Sequence, residues 1–210
     1  TRGVLRRASA ADLGPTGPLA TPLPEVRCGE PCRRRVGVPH GNRTDRARLR
    51  QLPAAELKVD PAKIGVMGFS AGGHLASSLS THFKEGERPD FAVLVYPVIS
   101  FTTRYTHSGS MRNLLGPNPD PALVWDFSNE LKVTSQTPPT FLFHTNGDTG
   151  VPPENSVLYY MALRQVGVQA ELHIYQNGPH GVGLAQKDPV LATWPARLKD
   201  WMMVRSLIPR

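Results

Sequence analysis

Ser70 is the residue whose neighbours best equip it for chemistry. It stands in Gly68-Phe69-Ser70-Ala71-Gly72, between an apolar run over 64–69 and a stretch of small and apolar residues over 71–83. The first run reads as a short buried strand and the second as a packed helix. A serine on a sharp strand-to-helix turn has its hydroxyl thrust outward, and glycines on either side keep neighbouring chain from clashing there. The plainer reading of Ser70, a helix N-cap, has no need of a glycine pair. The pattern predicts a nucleophile elbow, and the chemistry it predicts is acyl transfer.

A serine hydroxyl is a weak nucleophile near neutral pH, so it needs a histidine base oriented by a carboxylate. Thr140-Phe141-Leu142-Phe143-His144 reads as a strand, with Asp148 in the loop behind it. Glu171-Leu172-His173-Ile174-Tyr175 reads as the next strand, and its loop supplies His180. Both candidates fall just past the carboxyl end of a strand, where open α/β sheets place their chemistry. They also follow the order serine, acid, histidine. The competing structural readings are an Asx-turn for Asp148 and a main-chain-bonded loop histidine for His180. Of the other histidines, His74 lies on the nucleophile's own helix and reads as a packed side chain with a polar partner. His144 and His173 fall inside strands and read as core or cross-strand packing. His82 reads as helix surface, and His107, in a polar loop, is a candidate substrate contact.

The stretch from Asp60-Pro61-Ala62-Lys63 through Ser70 to Gly72-Gly73-His74-Leu75-Ala76 resembles the elbow of the α/β-hydrolase superfamily. More narrowly, it is similar to bacterial carbohydrate esterases of the acetylxylan esterase-like type, related to the feruloyl esterases. Tyr96-Pro97-Val98-Ile99-Ser100, Tyr105-Thr106-His107-Ser108-Gly109-Ser110, Arg112-Asn113-Leu114-Leu115-Gly116, the 144–152 segment and Asn177-Gly178-Pro179-His180-Gly181 carry the same likeness. It extends from about residue 50 to the end. The resemblance implies Ser70 as nucleophile, Asp148 as acid and His180 as base, the three residues reached above. It also implies no cofactor and no metal, a small-molecule or polysaccharide ester as substrate (acetyl groups on xylan being the narrowest form), and relatives that are often secreted or periplasmic.

One departure bears on rate. Members of that group carry an HGGG-like loop after an early strand, whose main chain donates to the oxyanion. Upstream of Ser70 the His-Gly pair is His40-Gly41, followed by Asn42-Arg43 with no apolar strand before it. Ala71 N–H would provide one donor, and loss of a single such donor costs about 3–4 kcal/mol of barrier. Three readings stay open: an acyl esterase, a prolyl oligopeptidase-type serine peptidase sharing the elbow, and a truncated hydrolase of no useful activity.

The elements that must position these groups are a mostly parallel sheet flanked by helices. Strands are expected over 64–69, 91–96, 140–144 and 171–175. A helix is expected over 45–57, before a turn at Asp60-Pro61. Another follows Pro152-Pro153-Glu154, with Val157, Tyr160, Met161 and Leu163 as its core face and Gly167 at its end. A last helix lies near 191–207. Residues 99–137 form a cap-like excursion in which Trp125 and Phe127 either flank the substrate or cover core. Four strands are half of a full α/β-hydrolase sheet, so the N-terminal strands are expected to be missing or replaced.

Composition divides the chain in two. Residues 1–50 hold 11 of the 24 basic and 4 of the 17 acidic side chains, which accounts for the whole net charge of +7. All 15 aromatic residues lie beyond that segment, and it shows neither the strand nor the helix period. We expect 1–49 to be an atypical, irregular segment and 50–210 to be the carboxyl-terminal part of a hydrolase domain. A basic arm for nucleic acid would interleave aromatics or line a helix face, and this one does neither, so no nucleic-acid partner is expected. Cys28 and Cys32, without further cysteines or spaced histidines, make a poor metal site. No apolar run approaches a membrane span, and the first residues lack the apolar core of a signal peptide.

Overall fold

The computed structural model describes residues 2–8, as main chain alone, and 59–209. Strands β1 (Arg2–Ala8), β2 (Val59–Phe69), β3 (Phe91–Val95), β4 (Thr140–Thr145) and β5 (Ala170–Tyr175) form one sheet in that spatial order. Every neighbouring pair is parallel. Helices α1 (Ala71–Thr81), α2 (Ser108–Leu115), α3 (Pro121–Asp126), α4 (Glu154–Gln165) and α5 (Trp194–Val204) connect and flank the strands.

Side-chain alternation along the strands sorts the core into two faces. Phe91, Val93 and Val95 of β3 and Phe141 and Phe143 of β4 pack with Trp194, Leu198, Trp201 and Met202 of α5. Their neighbours Ala92, Leu94 and Leu142 pack on the other side, with Ala76 of α1 and Tyr159 and Leu163 of α4. Both central strands are buried along their whole length, which is why they read as continuous apolar runs. A third cluster joins Leu75 of α1 to Val98, Phe101, Phe127 and Val151 and fastens α2 and α3 to the body.

The structure corrects several expectations. The segment 1–49 opens with a strand: Arg2–Ala8 is held by main-chain pairing to β2, from Val4 opposite Ile64 to Ala8 opposite Gly68, and not by an apolar period. The rest of that segment, with its arginines, Cys28, Cys32 and His40-Gly41, and the helix expected over 45–57 lie outside the described residues. Asp60-Pro61 is no turn. It falls where the β1 register jumps from Val59 to Ile64, a place that tolerates a proline without an N–H for the ladder. The excursion over 99–137 carries α2, α3 and a short 3₁₀ turn at Asn129–Lys132. On α4 the inner face is Ser156, Tyr159 and Leu163, while Met161 is 60% exposed. Polar Asn155 and Ser156 occupy inward positions, which hid the true face from an apolar count.

His74 shows how α1 is fixed. It is buried, its ring stacks on Phe101 at 4.6 Å, and its Nε2–H donates to the Phe127 carbonyl at 2.8 Å. Burial, against the opposing pull of the Phe127 carbonyl, lowers its pKa from 6.5 to about 4. Between those values the unfolded chain binds a proton that the folded chain refuses, so stability rises with pH across that window. It is fully present above about pH 6.5 and falls by about 3 kcal/mol as pH drops to about 4. His74→Gln, which keeps a donor for the Phe127 carbonyl, is expected to flatten this slope; urea unfolding at pH 7 and pH 4.5 measures it.

Candidate active site

The sheet brings Ser70 to the end of β2, one residue beyond Phe69, which is in register with Val95 of β3. Its dihedrals are φ 54° and ψ −122°, a region that side-chain-bearing residues enter at a cost of about 1–3 kcal/mol. Main-chain bonds hold it there. Ser70 N–H donates to the Val95 carbonyl at 3.1 Å, while the Ser70 carbonyl accepts from Gly73 at 2.9 Å, His74 at 3.2 Å and Val98 at 3.1 Å. The close approaches fall at Gly68 and Gly73. A Cβ at Gly68 would meet the Gly72 carbonyl oxygen at 2.0 Å, and one at Gly73 would meet Pro97 Cβ at 2.6 Å.

Ser70 stands at the N-cap of α1 but makes no side-chain cap bond. Its Oγ lies instead 2.7 Å from His180 Nε2, and His180 Nδ1 lies 2.6 Å from Asp148 Oδ2. A carboxylate only accepts, so Nδ1 carries the proton and Nε2 accepts from the Ser70 hydroxyl. The Asp148 side chain has no exposure, whereas His180 retains 29%. Asp148 Oδ1 accepts from Gly150 N–H at 3.0 Å and Val151 N–H at 2.8 Å. Burial pushes the Asp148 carboxyl up, but hydrogen bonds from His144, Val151 and His180 outweigh it and bring the pKa to about 2. The group is a carboxylate throughout the neutral range, able to hold the His180 ring and balance a charge on it.

The loops bearing Asp148 and His180 are pressed together. Thr145 Oγ1 donates to the Gly178 carbonyl at 2.8 Å, and Asn146 N–H donates to the Tyr175 carbonyl at 2.7 Å. Gly178, at φ 138°, approaches Thr145 so closely that a Cβ would sit 2.8 Å from Thr145 Cγ2. Beyond His180 the chain is tied by Gly183, whose N–H donates to Tyr96 Oη at 3.0 Å and whose carbonyl accepts from Trp194 Nε1 at 3.0 Å. The Tyr96 ring meets the His180 ring edge-on at 5.1 Å.

Ala71 is the first residue of α1, where an N–H has no intrahelical acceptor and the helix dipole favours negative charge. The other candidates are placed differently. Phe127, read from the sequence as either flanking substrate or covering core, is 4% exposed and packs with Leu75, Val98, Phe101 and Val151, its ring stacking on His74 and His82. Trp125 is 56% exposed on α3. His107 is the N-cap of α2, its Nδ1 accepting from Ser110 N–H at 3.1 Å. Two residues that contact His180 or Asp148 carried no functional expectation from the sequence: Tyr96, quoted only as part of a likeness, and His144, read as packing. Among the described residues no group of three or more His, Cys, Asp or Glu side chains is arranged to hold a metal ion.

Comparison with known proteins adds an independent line. A family model described as the prolyl oligopeptidase family matches residues 43–203. An acetylxylan esterase of Xylanibacter ruminicola is 40% identical over 157 residues, covering 70% of this chain and 33% of that protein. An acetyl ester-xyloside bifunctional hydrolase from Caldicellulosiruptor lactoaceticus superposes with a TM-score of 0.75 at 45% identity, over 80% of this chain and 65% of that one. A carboxylesterase from Lactobacillus plantarum superposes at 0.68 with 26% identity, over 82% and 70%. The chain spans about a third of the length of the Xylanibacter ruminicola acetylxylan esterase.

The elbow yields a direct test. Because the obstacle at Gly68 is backbone, Gly68→Ala is expected to destabilise the fold by about 1–3 kcal/mol, read as a lower midpoint in urea unfolding.

Proposed function

The chain belongs to the prolyl oligopeptidase family of α/β-hydrolases, and from that premise and the geometry at Ser70 we propose that it is a serine esterase cleaving small acyl esters. The observation that carries this reading is the unbroken line from Ser70 Oγ through His180 to Asp148, with contacts of 2.7 and 2.6 Å. Ser70 Oγ attacks the ester carbonyl carbon as His180 Nε2 takes its proton. The carbonyl oxygen becomes an oxyanion facing Ala71 N–H. Collapse expels the alcohol, which takes the proton from His180, and leaves an acyl group on Ser70. Water then attacks with its proton passing to His180, and the acid and free Ser70 are released. Asp148 keeps the His180 tautomer and stabilises the imidazolium.

The likenesses to an acetylxylan esterase and to an acetyl ester-xyloside hydrolase support acetyl groups on a xylan-type polysaccharide as the substrate class. Trp125, exposed on α3, offers an aromatic face of the sort that sugar rings stack upon.

The test is a fluorophosphonate probe with nitrophenyl acetate turnover on the full 210-residue chain. Wild type is expected to label and hydrolyse, and Ser70→Ala to do neither. Asp148→Asn is expected to fold and lose on the order of 10⁴ in kcat, the size of loss when the base is left in the wrong tautomer. Turnover of a proline-site peptide in preference to the ester would favour the peptidase, and an unlabelled wild type an inert hydrolase.

A further inference from the structure

The mechanism above leaves one buried titratable side chain at the site unused. His144, near the end of β4, is completely buried and faces three polar partners. Its Nδ1 lies 2.8 Å from Ser156 Oγ of α4, and its Nε2 lies 2.9 Å from the Val151 carbonyl and 3.3 Å from Asp148 Oδ2. Carbonyl and carboxylate oxygens only accept, so Nε2 carries the proton. In the neutral ring Nδ1 then accepts from the Ser156 hydroxyl. The ionisable group facing His144 is Asp148, with His180 on the far side of that carboxylate, and its register partner on β5 is Ile174.

These bonds close a ring. His144 holds the Val151 carbonyl, the Val151 N–H holds Asp148 Oδ1, and Asp148 Oδ2 turns back toward His144. Oδ2 is also the atom that receives His180 Nδ1–H. Two donors therefore compete for one oxygen, the shorter contact belonging to His180. We propose that His144 is a positioning residue for the acid: its Nε2–H fixes both the rotamer of Asp148 and the Val151 peptide that clamps it, and draws off part of the charge on Oδ2. The proposal rests on the esterase reading above.

Physical chemistry gives the expected sign. Without the His144 donor, Oδ2 holds more charge for His180, and an imidazolium beside a stronger acceptor is harder to deprotonate. The base then becomes available only at higher pH. Looser orientation of the carboxylate slows the chemical step without touching substrate binding.

The experiment measures the pH dependence of nitrophenyl acetate turnover by wild type, Ser70→Ala, His144→Phe and His144→Gln. Phe fills the cavity without donating, whereas the Gln side-chain amide places an N–H close to where Nε2 stood. His144→Phe is expected to lower kcat by about tenfold, the scale of a lost hydrogen bond to a charged group, with KM within about twofold. Its acidic limb is expected to move up by about half a pH unit. His144→Gln is expected to recover most of both. A folded His144→Phe with the wild-type rate and profile, or a His144→Gln no better than it, overturns the proposal. Should the phenyl ring prevent folding, Ser156→Ala decides, because it frees the imidazole to turn away from Asp148; an acidic limb left at the wild-type pH overturns the proposal. A wild type that neither labels nor hydrolyses sinks the esterase reading and His144's role with it, whereas an active wild type matched by His144→Phe sinks the role alone.

Discussion

A single row across the sheet sets where everything else must be. Phe69, Val95, Phe143 and His173 are register partners on four adjacent parallel strands. One step further along the same strands stand Ser70, Tyr96 and His144, and the ladder continues into that step: Ser70 N–H reaches the Val95 carbonyl and Tyr96 N–H the Phe143 carbonyl at 2.6 Å. Parallel strands lie about 4.8 Å apart, so Ser70 and His144 are roughly 10 Å apart by pairing alone. Asp148 closes that span from behind His144, and His180 bridges from the neighbouring loop. Ser70 and His144 are therefore positioned by main-chain pairing, before any side-chain contact is counted.

The strain at Ser70 is affordable because it is surrounded by regular structure. Three N–H groups converge on one carbonyl, and the ladder holds the N–H on the other side. Tyr96 repeats the device one strand over, at φ 39°. Its Oη is fixed by Gly183 and its ring lies against His180, so the same side chain braces His180 and the loop that carries it. Burial then grades the charges: Asp148 is out of water and its hydrogen bonds overcome the desolvation that would neutralise it, while His180 retains access to solvent.

Much of this was legible in the sequence. Glycine spacing around Ser70, apolar runs over 91–96 and 140–144, and the loop positions of Asp148 and His180 each follow from local chemistry, and the structure brings His180 within hydrogen-bonding distance of both Asp148 and Ser70. What stayed hidden depends on partners distant in the chain. Arg2–Ala8 is a strand because β2 offers it a free edge, which no seven-residue pattern announces. The inner face of α4 carries Asn155 and Ser156, polar because Asn155 Oδ1 caps the N–H groups of Ile99 and Ser100 and Ser156 serves His144. His144 looks like any strand residue until the turn that follows brings Asp148 back beside it.

The excursion over 99–137 is fastened to α1 by buried polar bonds. Asn129 Nδ2 donates to the His74 carbonyl and to the hydroxyls of Ser77 and Ser78 on α1. His74 and His82 bond the carbonyls of Phe127 and Asp126, and Phe127 lies between their rings. Lifting the end of α3 would leave several of these buried polar groups unpaired, each at about 1–3 kcal/mol, besides exposing Phe127. α1 and the segment around Asp126–Asn129 are therefore held together as one body.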